Sequence, residues 1–225
     1  MINKIFFDLD GTISDSSPGI IKSAQYALES FGIKVEDEDV KEFRKFIGSP
    51  LRQILKDFSN FDDDKVEEVV EKFRERYLPI GIFENIMYDG IDTMLQGLYD
   101  SGKTLIIATS KPHIQAHTVL SHFNLDKYFT FVSGAEMDGT RSSKTEVIQH
   151  ALEQCNITDI STCIMIGDRK HDIIGAKNVG MKSIGVLFGY GDYDELSEAG
   201  ADYIVKDVDE LTALLLTLCE NKKPL

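Results

Sequence analysis

Six short runs of β-branched, aromatic and aliphatic residues recur along the chain and predict buried strands. They are KIFFDL, KTLIIATS, FTFVSG, TCIMIGD, KSIGVLFG and DYIV. Between them the apolar residues follow helical spacing, as in HIQAHTVLSHF, KTEVIQHALEQC and the segment from Val208 to Leu218. Strands that alternate with helices predict an α/β fold, a mostly parallel sheet with helices on both faces.

One region departs from this alternation. From about Ser16 to Ile82 the pattern is helical and contains no convincing strand. The segment PGIIKSAQYALESFG begins with Pro and ends with Gly, and DDDKVEEVVEKFRERY has acids early and bases late, as a helix favours. We expect a core domain of residues 1–15 and 83–225 with an all-helical domain, 16–82, inserted above the first strand as a lid.

The composition disfavours several partners. The 225 residues carry a net charge of -14, which argues against nucleic acid and anionic membranes. A small anionic substrate stays open because local charge in a pocket can oppose the net charge. No apolar run approaches the roughly 20 residues of a spanning helix. The three cysteines form no CxxC pair, which favours a reducing compartment. We expect a cytoplasmic monomer or homodimer.

Carboxylates follow two of the predicted strands. FDLDG places Asp8 and Asp10 two residues apart, where extended side chains share a face, and Gly11 permits a sharp turn. Two ionised carboxylates held close repel each other, and a hard divalent cation compensates them. A second strand ends at Asp168, and Asp172 follows four residues on. Asp168 could complete a cation site with Asp8 or cap the next helix, a role that also suits Asp172.

A hydroxyl and a lysine occur at comparable places. TLIIATSKP ends in Thr109 and Ser110, whose hydroxyl and backbone N–H groups suit an anion, and Lys144 precedes a helix in GTRSSKTEVI. Each feature alone is typical of a strand-to-helix loop or of a surface. Because ligands bind at the carboxyl ends of parallel strands, the whole set predicts a pocket for a metal ion and a phosphate.

These ordered motifs resemble those of the haloacid dehalogenase-like (HAD) phosphohydrolases, in the branch similar to phosphoglycolate phosphatases. The motifs are FDLDGT (7–12), ATSK (108–111), Lys144 in RSSK and GDRKHD (167–172), and the resemblance extends over nearly the whole chain. It implies a Rossmann-like HAD core with a helical C1 cap. It also implies Mg²⁺-dependent hydrolysis of a small phosphorylated metabolite.

The resemblance further implies catalytic roles. Asp8 is then the nucleophile that forms an aspartyl-phosphate, and Asp10 is the general acid that protonates the leaving oxygen and next the base that activates water. Thr109, with Ser110 and the backbone that follows, holds phosphate oxygens. Lys144 supplies positive charge against the phosphoryl group.

Metal ligands are implied in the same way. They are the Asp8 carboxylate, the Asp10 backbone carbonyl and Asp168, while Asp172 orients Asp168 or a bound water. In the insert, the segment KFIGSPLRQIL contains Ser49 and Arg52, which by analogy with related caps reach the substrate or simply form a turn between helices. Phosphoglycolate, nucleoside 5'-monophosphates, sugar phosphates and pyrophosphate remain open as substrates.

Two alternative functions remain at this stage. True dehalogenases of the superfamily lack the second acid, so Asp10 favours phosphoester hydrolysis. A phosphomutase similar to β-phosphoglucomutase would instead protect the aspartyl-phosphate until a sugar accepts it. A receiver-type phospho-switch also combines acids, a hydroxyl and a lysine around Mg²⁺, but such binding modules are shorter, have adjacent N-terminal acids and lack a helical insert.

Overall fold

The computed structural model describes residues 1–35, 47, 52, 55–56, 59, 61–136, 140–141 and 143–219. The chain divides into two units, Met1–Ser14 with Met87–Leu225, and Asp15–Ile86. We call the first the core unit and the second the inserted unit. Within the described residues, no helix has both the length and the apolar character that crossing a bilayer requires.

Eight strands belong to the described part of the chain. They are β1 (Lys4–Phe7), β2 (Ser14–Asp15), β3 (Ile86–Met87), β4 (Thr104–Pro112), β5 (Phe129–Ala135), β6 (Cys163–Gly167), β7 (Lys182–Val186) and β8 (Tyr203–Val205). Six of them form one parallel sheet in the order β5-β4-β1-β6-β7-β8, while β2 pairs with β3. All six predicted apolar runs lie in the large sheet, which confirms the α/β fold class.

Helices connect these strands. They are α1 (Ser17–Glu29), α2 (Asp63–Tyr77), α3 (Ile91–Asp100), α4 (His113–His122), α5 (Lys144–Gln154), α6 (Lys170–Asn178), α7 (Tyr193–Ala199) and α8 (Val208–Cys219). On one side of β1 lie β4 and then β5, and on its other side lie β6, β7 and β8 in that order. The order therefore reverses beside β1, and in open α/β sheets the crevice at such a reversal is where ligands bind.

The centre of the sheet is apolar on both faces. Ile5, Phe6 and Phe7 of β1 are all fully buried, as expected for a parallel strand that is covered on both sides. Phe6 belongs to a cluster that includes Val147 of α5 and Met165 of β6. This packing fixes the strands along their length, so the residues just beyond their carboxyl ends are held by a rigid frame.

The inserted unit contains α1 and α2. Asp62 caps α2 by accepting a hydrogen bond from the Lys65 N–H at 2.9 Å. One stripe of α2 is buried and consists of Val66, Val69, Val70, Phe73 and Tyr77. The opposite faces are charged, so the amphipathic pattern in the sequence corresponds to an amphipathic helix in the structure.

Candidate active site

The register of β1 against β6 brings two carboxylates to the same edge of the sheet. Phe7 lies opposite Ile166, and the Asp8 N–H donates to the Ile166 carbonyl at 2.9 Å. Asp8 and Asp168 therefore leave adjacent strands together, and both side chains are buried. Carboxylate oxygens of Asp8, Asp168 and Asp172 lie within 4.8 Å of one another. We call these three residues the acidic cluster.

Lys144 lies against this cluster from the first turn of α5. Its Nζ is 2.9 Å from Asp8 Oδ1 and 2.8 Å from Asp172 Oδ1, and it donates to the Ala108 carbonyl at 3.0 Å. The lysine side chain is only 3% exposed. Its three donors are therefore directed at two carboxylates and the Ala108 carbonyl, with little access for water.

Asp172 has two functions in this arrangement. It lies in the first turn of α6, where its Oδ2 accepts the Arg169 N–H at 3.1 Å and so caps that helix. Its other oxygen contacts Lys144. The capping role that the sequence left open for Asp168 or Asp172 is thus taken by Asp172, while the carboxylate stays in the acidic cluster.

Burial dominates the electrostatics of the cluster. It raises the pKa of Asp8 to about 6, although Lys144 opposes this shift. Burial, followed by the charges of Asp172 and Asp8, raises the pKa of Asp168 well above its ordinary value. For Lys144, burial alone would lower the pKa, but Asp172 and Asp8 outweigh it and the pKa is raised.

The donor set fits a hard divalent cation. The site combines three buried carboxylates with one ammonium group that pairs with two of them, so carboxylates outnumber the cation where little water can screen them. Magnesium and calcium prefer oxygen ligands of this kind. The three grouped carboxylates could therefore hold a divalent cation.

Asp10 has a different partner. The chain turns immediately after Asp8, with the N–H groups of Ile13 and Ser14 both directed at the Leu9 carbonyl. The Asp10 carboxylate consequently lies outside the acidic cluster, and the Lys111 Nζ contacts its two oxygens at 3.1 and 3.0 Å. The convergence of the Asp8 and Asp10 side chains stays a prediction. The Asp10 carbonyl as a metal ligand remains a prediction.

The hydroxyl predicted for anion binding follows on the neighbouring strand. Thr109 is buried, and its Oγ1 accepts the Lys111 N–H at 3.2 Å. The sequence suggested that the strand ends at Thr109 and Ser110. Strand β4 instead continues to Pro112, and its pairing to β5 shifts register between Leu105 and Ile106 and again after Ala108. The second shift lies where the sequence placed the phosphate loop.

Arg52 belongs to the inserted unit and has contacts there. Its guanidinium pairs with the Glu67 carboxylate and donates to the Asp63 carbonyl at 3.3 Å. Ser49 lies outside the described residues. A substrate contact by either residue remains a prediction.

Two further groups contact Asp168, one from the FGYG segment and one from the turn after Asp10. The Tyr190 backbone N–H donates to Asp168 Oδ2 at 2.8 Å, and the Thr12 hydroxyl lies 3.4 Å from Oδ1. A hydrogen bond from a backbone N–H cannot be predicted from the residue type, but the glycines of FGYG indicate that the backbone approaches another group closely. Lys111, the last residue of the ATSK motif, is also buried.

Comparison with known proteins adds independent information. A family model described as haloacid dehalogenase-like hydrolase matches residues 5–186. A 5'-nucleotidase of Pseudomonas aeruginosa is 40% identical over 94% of this chain and 94% of its own length. A tyrosine-protein kinase PtkA of Mycobacterium tuberculosis is 33% identical over 94% of this chain and 72% of its own. The crystal structure of a predicted phosphatase from Clostridium acetobutylicum has a TM-score of 0.89 at 44% identity, covering 96% of this chain and 99% of that one.

The chain therefore belongs to the haloacid dehalogenase-like hydrolases. The predicted family, fold class and enzyme class, a phosphoric monoester hydrolase, are confirmed by this match and by relatives named as phosphatases. These include phosphoglycolate phosphatases at 26 to 30% identity.

Proposed function

We propose that this protein hydrolyses small phosphate monoesters with Mg²⁺ as cofactor, through an aspartyl-phosphate formed on Asp8. The observation that carries this proposal is the buried acidic cluster, whose oxygens lie within 4.8 Å of one another, with Lys144 paired to two of its members. Bound Mg²⁺ would supply the charge that neutralises phosphate oxygens and would favour an in-line approach.

The residues of the chain divide the reaction into two steps. A carboxylate oxygen of Asp8 attacks phosphorus, and the bond from phosphorus to the ester oxygen breaks while Asp10 protonates that oxygen. Asp10 then takes a proton from water, which attacks the aspartyl-phosphate, releases inorganic phosphate and restores Asp8. Thr109 holds phosphoryl oxygens and Lys144 supplies positive charge through both steps, since phosphoryl transfer depends mainly on positioning and electrostatic stabilisation.

We favour nucleoside 5'-monophosphates as the first substrates to test. The 40% identity to a 5'-nucleotidase spans nearly the full length of both chains, whereas the phosphoglycolate phosphatases are more distant. In this proposal the inserted unit is the cap that selects the leaving group, with Arg52 as its candidate contact. The protein would act in the cytoplasm as a monomer or homodimer.

A second candidate is transfer of the phosphoryl group to an acceptor other than water. The relative named tyrosine-protein kinase PtkA favours this reading, and a phosphomutase belongs to the same class. Both would use an aspartyl-phosphate that is shielded from water. Measuring whether released phosphate equals consumed ester separates transfer from hydrolysis, because transfer consumes ester without releasing equivalent phosphate.

The test of the main proposal is turnover of p-nitrophenyl phosphate with Mg²⁺, with EDTA, and with EDTA followed by excess Mg²⁺. We expect activity that EDTA removes and Mg²⁺ restores. A panel of nucleoside 5'-monophosphates, phosphoglycolate and sugar phosphates then ranks substrates by kcat/KM. Chelator-resistant turnover would contradict the metal site, and no turnover of any ester would contradict the phosphatase.

A further inference from the structure

Asp168 is fully buried beside two other carboxylates, so its orientation has to be imposed against repulsion. Oδ2 accepts the Tyr190 N–H at 2.8 Å, which is a strong hydrogen-bond geometry for a carboxylate. This donor comes from the segment 187–191 that follows β7, which we call the glycine loop. The loop is therefore placed to fix the direction in which Asp168 presents its oxygens.

The close approach of the loop depends on its glycines. A Cβ added at Gly189 would overlap the Gly11 carbonyl oxygen and the Asp168 side chain, and one at Gly191 would overlap the Asp168 carbonyl oxygen. Neither glycine has a backbone conformation that excludes side chains, since no positive φ is found at these positions. Glycine is required here by space and not by backbone strain. Any larger residue would push the loop away from Asp168.

Both ends of the loop are fastened. The Leu187 N–H donates to the Val205 carbonyl at 2.9 Å, and the Phe188 ring packs edge-on against Tyr88 with centroids 5.1 Å apart. At the far end, Asp192 accepts the Glu195 N–H at 2.9 Å and so begins α7. A loop anchored on both sides holds its amide donor in place before any ligand arrives.

We propose that the glycine loop is a positioning element that orients Asp168 for the cation and thereby sets the metal affinity of the site. This inference rests on the proposed function, since it assumes that the acidic cluster binds a divalent cation. Groups that orient metal ligands typically change metal affinity by 10- to 100-fold when they are disturbed. The Tyr190 side chain is not needed for this role, because the donor is its backbone N–H.

The test measures Mn²⁺ binding to the intact protein without substrate, from the electron paramagnetic resonance signal of free Mn²⁺. Gly189→Ala should weaken binding by about tenfold or more. Gly97→Ala is the matched control: the same exchange lies in α3, where an added Cβ meets nothing within 4 Å, and Mn²⁺ binding should not change. Tyr190→Phe retains the N–H and should also bind Mn²⁺ as the unaltered protein does. Circular dichroism checks the fold of each variant.

If Gly189→Ala does not fold, the role of the loop can still be tested on the unaltered protein. On titration with Mg²⁺, the Tyr190 amide should show one of the largest chemical-shift changes in a ¹H–¹⁵N spectrum. Unchanged Mn²⁺ affinity in folded Gly189→Ala, or a Tyr190 amide that Mg²⁺ does not move, would overturn the role of the loop while phosphatase turnover persists. Failure of the unaltered protein to bind Mn²⁺ would overturn the cation site and the loop's role together.

Discussion

Lysines pair with carboxylates in two regions of the molecule, with different consequences. At the edge of the sheet, the Lys144 Nζ is 2.9 Å from Asp8, and the side chains are 3% and 11% exposed. On α2, the Lys72 Nζ is 2.7 Å from Glu75, with side chains 32% and 56% exposed. The distances are nearly the same, so distance does not separate the two pairs. Access to water does, because water screens the exposed pair much more strongly than the buried one.

The two acids shift in opposite directions. The hydrogen bond from Lys72 lowers the pKa of Glu75, whereas burial raises the pKa of Asp8 to about 6 in spite of Lys144. On α2, the positive charge of Lys72 balances the negative charge of Glu75. The acidic cluster has three carboxylates and one lysine, which pairs with two of them, and the unbalanced charge is what a divalent cation can neutralise. Both regions contain ion pairs, and what distinguishes the candidate active site is its excess of buried negative charge.

The largest expected effect comes from Asp8→Asn. Turnover of p-nitrophenyl phosphate should fall on the order of 10³-fold or more, because the amide cannot act as the nucleophile. Asp63→Asn, which removes an exposed acid paired with Lys56, should leave turnover unchanged. Circular dichroism establishes that both variants fold. A folded Asp8→Asn variant with normal turnover would remove Asp8 from the nucleophile role.

Lys144→Met should destabilise the protein by about 3–5 kcal/mol at neutral pH, because it leaves buried carboxylates without their cation. Urea unfolding in the presence of EDTA measures this loss without a contribution from metal. A smaller loss on adding excess Mg²⁺ is expected, since the divalent ion would replace part of the missing charge. Unchanged stability in EDTA would show that the buried pairs contribute little.

Metal affinity should rise with pH over the range set by Asp8. Because the pKa of Asp8 is raised from 3.8 to about 6, its proton stabilises the metal-free folded state. That contribution is complete below about pH 4 and is lost as the pH rises through about 6. A cation must displace this proton, so Mn²⁺ affinity should increase as the pH rises from about 5 to 7. Calorimetry in two buffers measures the released proton, and affinity independent of pH would contradict this account.

The smallest effect is expected from Lys72→Met in the exposed pair. Turnover should be unchanged and the urea midpoint nearly so, with any difference reduced further by added salt. The variant uses the same exchange as Lys144→Met and is therefore its matched control. A loss of stability as large as that of Lys144→Met would mean that burial is not what distinguishes the two regions.

The sequence alone predicts the elements that follow from the apolar pattern and the acidic residues that follow the strands. Asp8 and Asp168 each follow the last residue of their strand, β1 and β6, so their meeting could be expected from parallel pairing alone. Lys144 could be anticipated only as part of the ordered motifs, since a lysine before a helix is ordinary by itself. The two-residue strands β2 and β3 are too short to give a pattern.

What the sequence could not provide is the choice of partners. Asp8 and Asp10 are chemically identical, yet one lies with Asp168 and the other with Lys111, because the chain turns between them. Likewise, Tyr190 contributes a backbone N–H that any residue except proline would offer. These details depend on where the backbone goes after a strand ends, and residue type alone does not determine that.

The central claim, transfer of a phosphoryl group onto Asp8, can be tested most directly with Asp10→Asn and p-nitrophenyl phosphate. Nitrophenolate leaves without needing a proton, whereas hydrolysis of the aspartyl-phosphate needs Asp10 as base, so the intermediate should accumulate. We expect a burst of one nitrophenolate per protein molecule, and borohydride reduction followed by mass spectrometry should place the modification at residue 8. Absence of any burst, or a modification at another residue, would contradict the account.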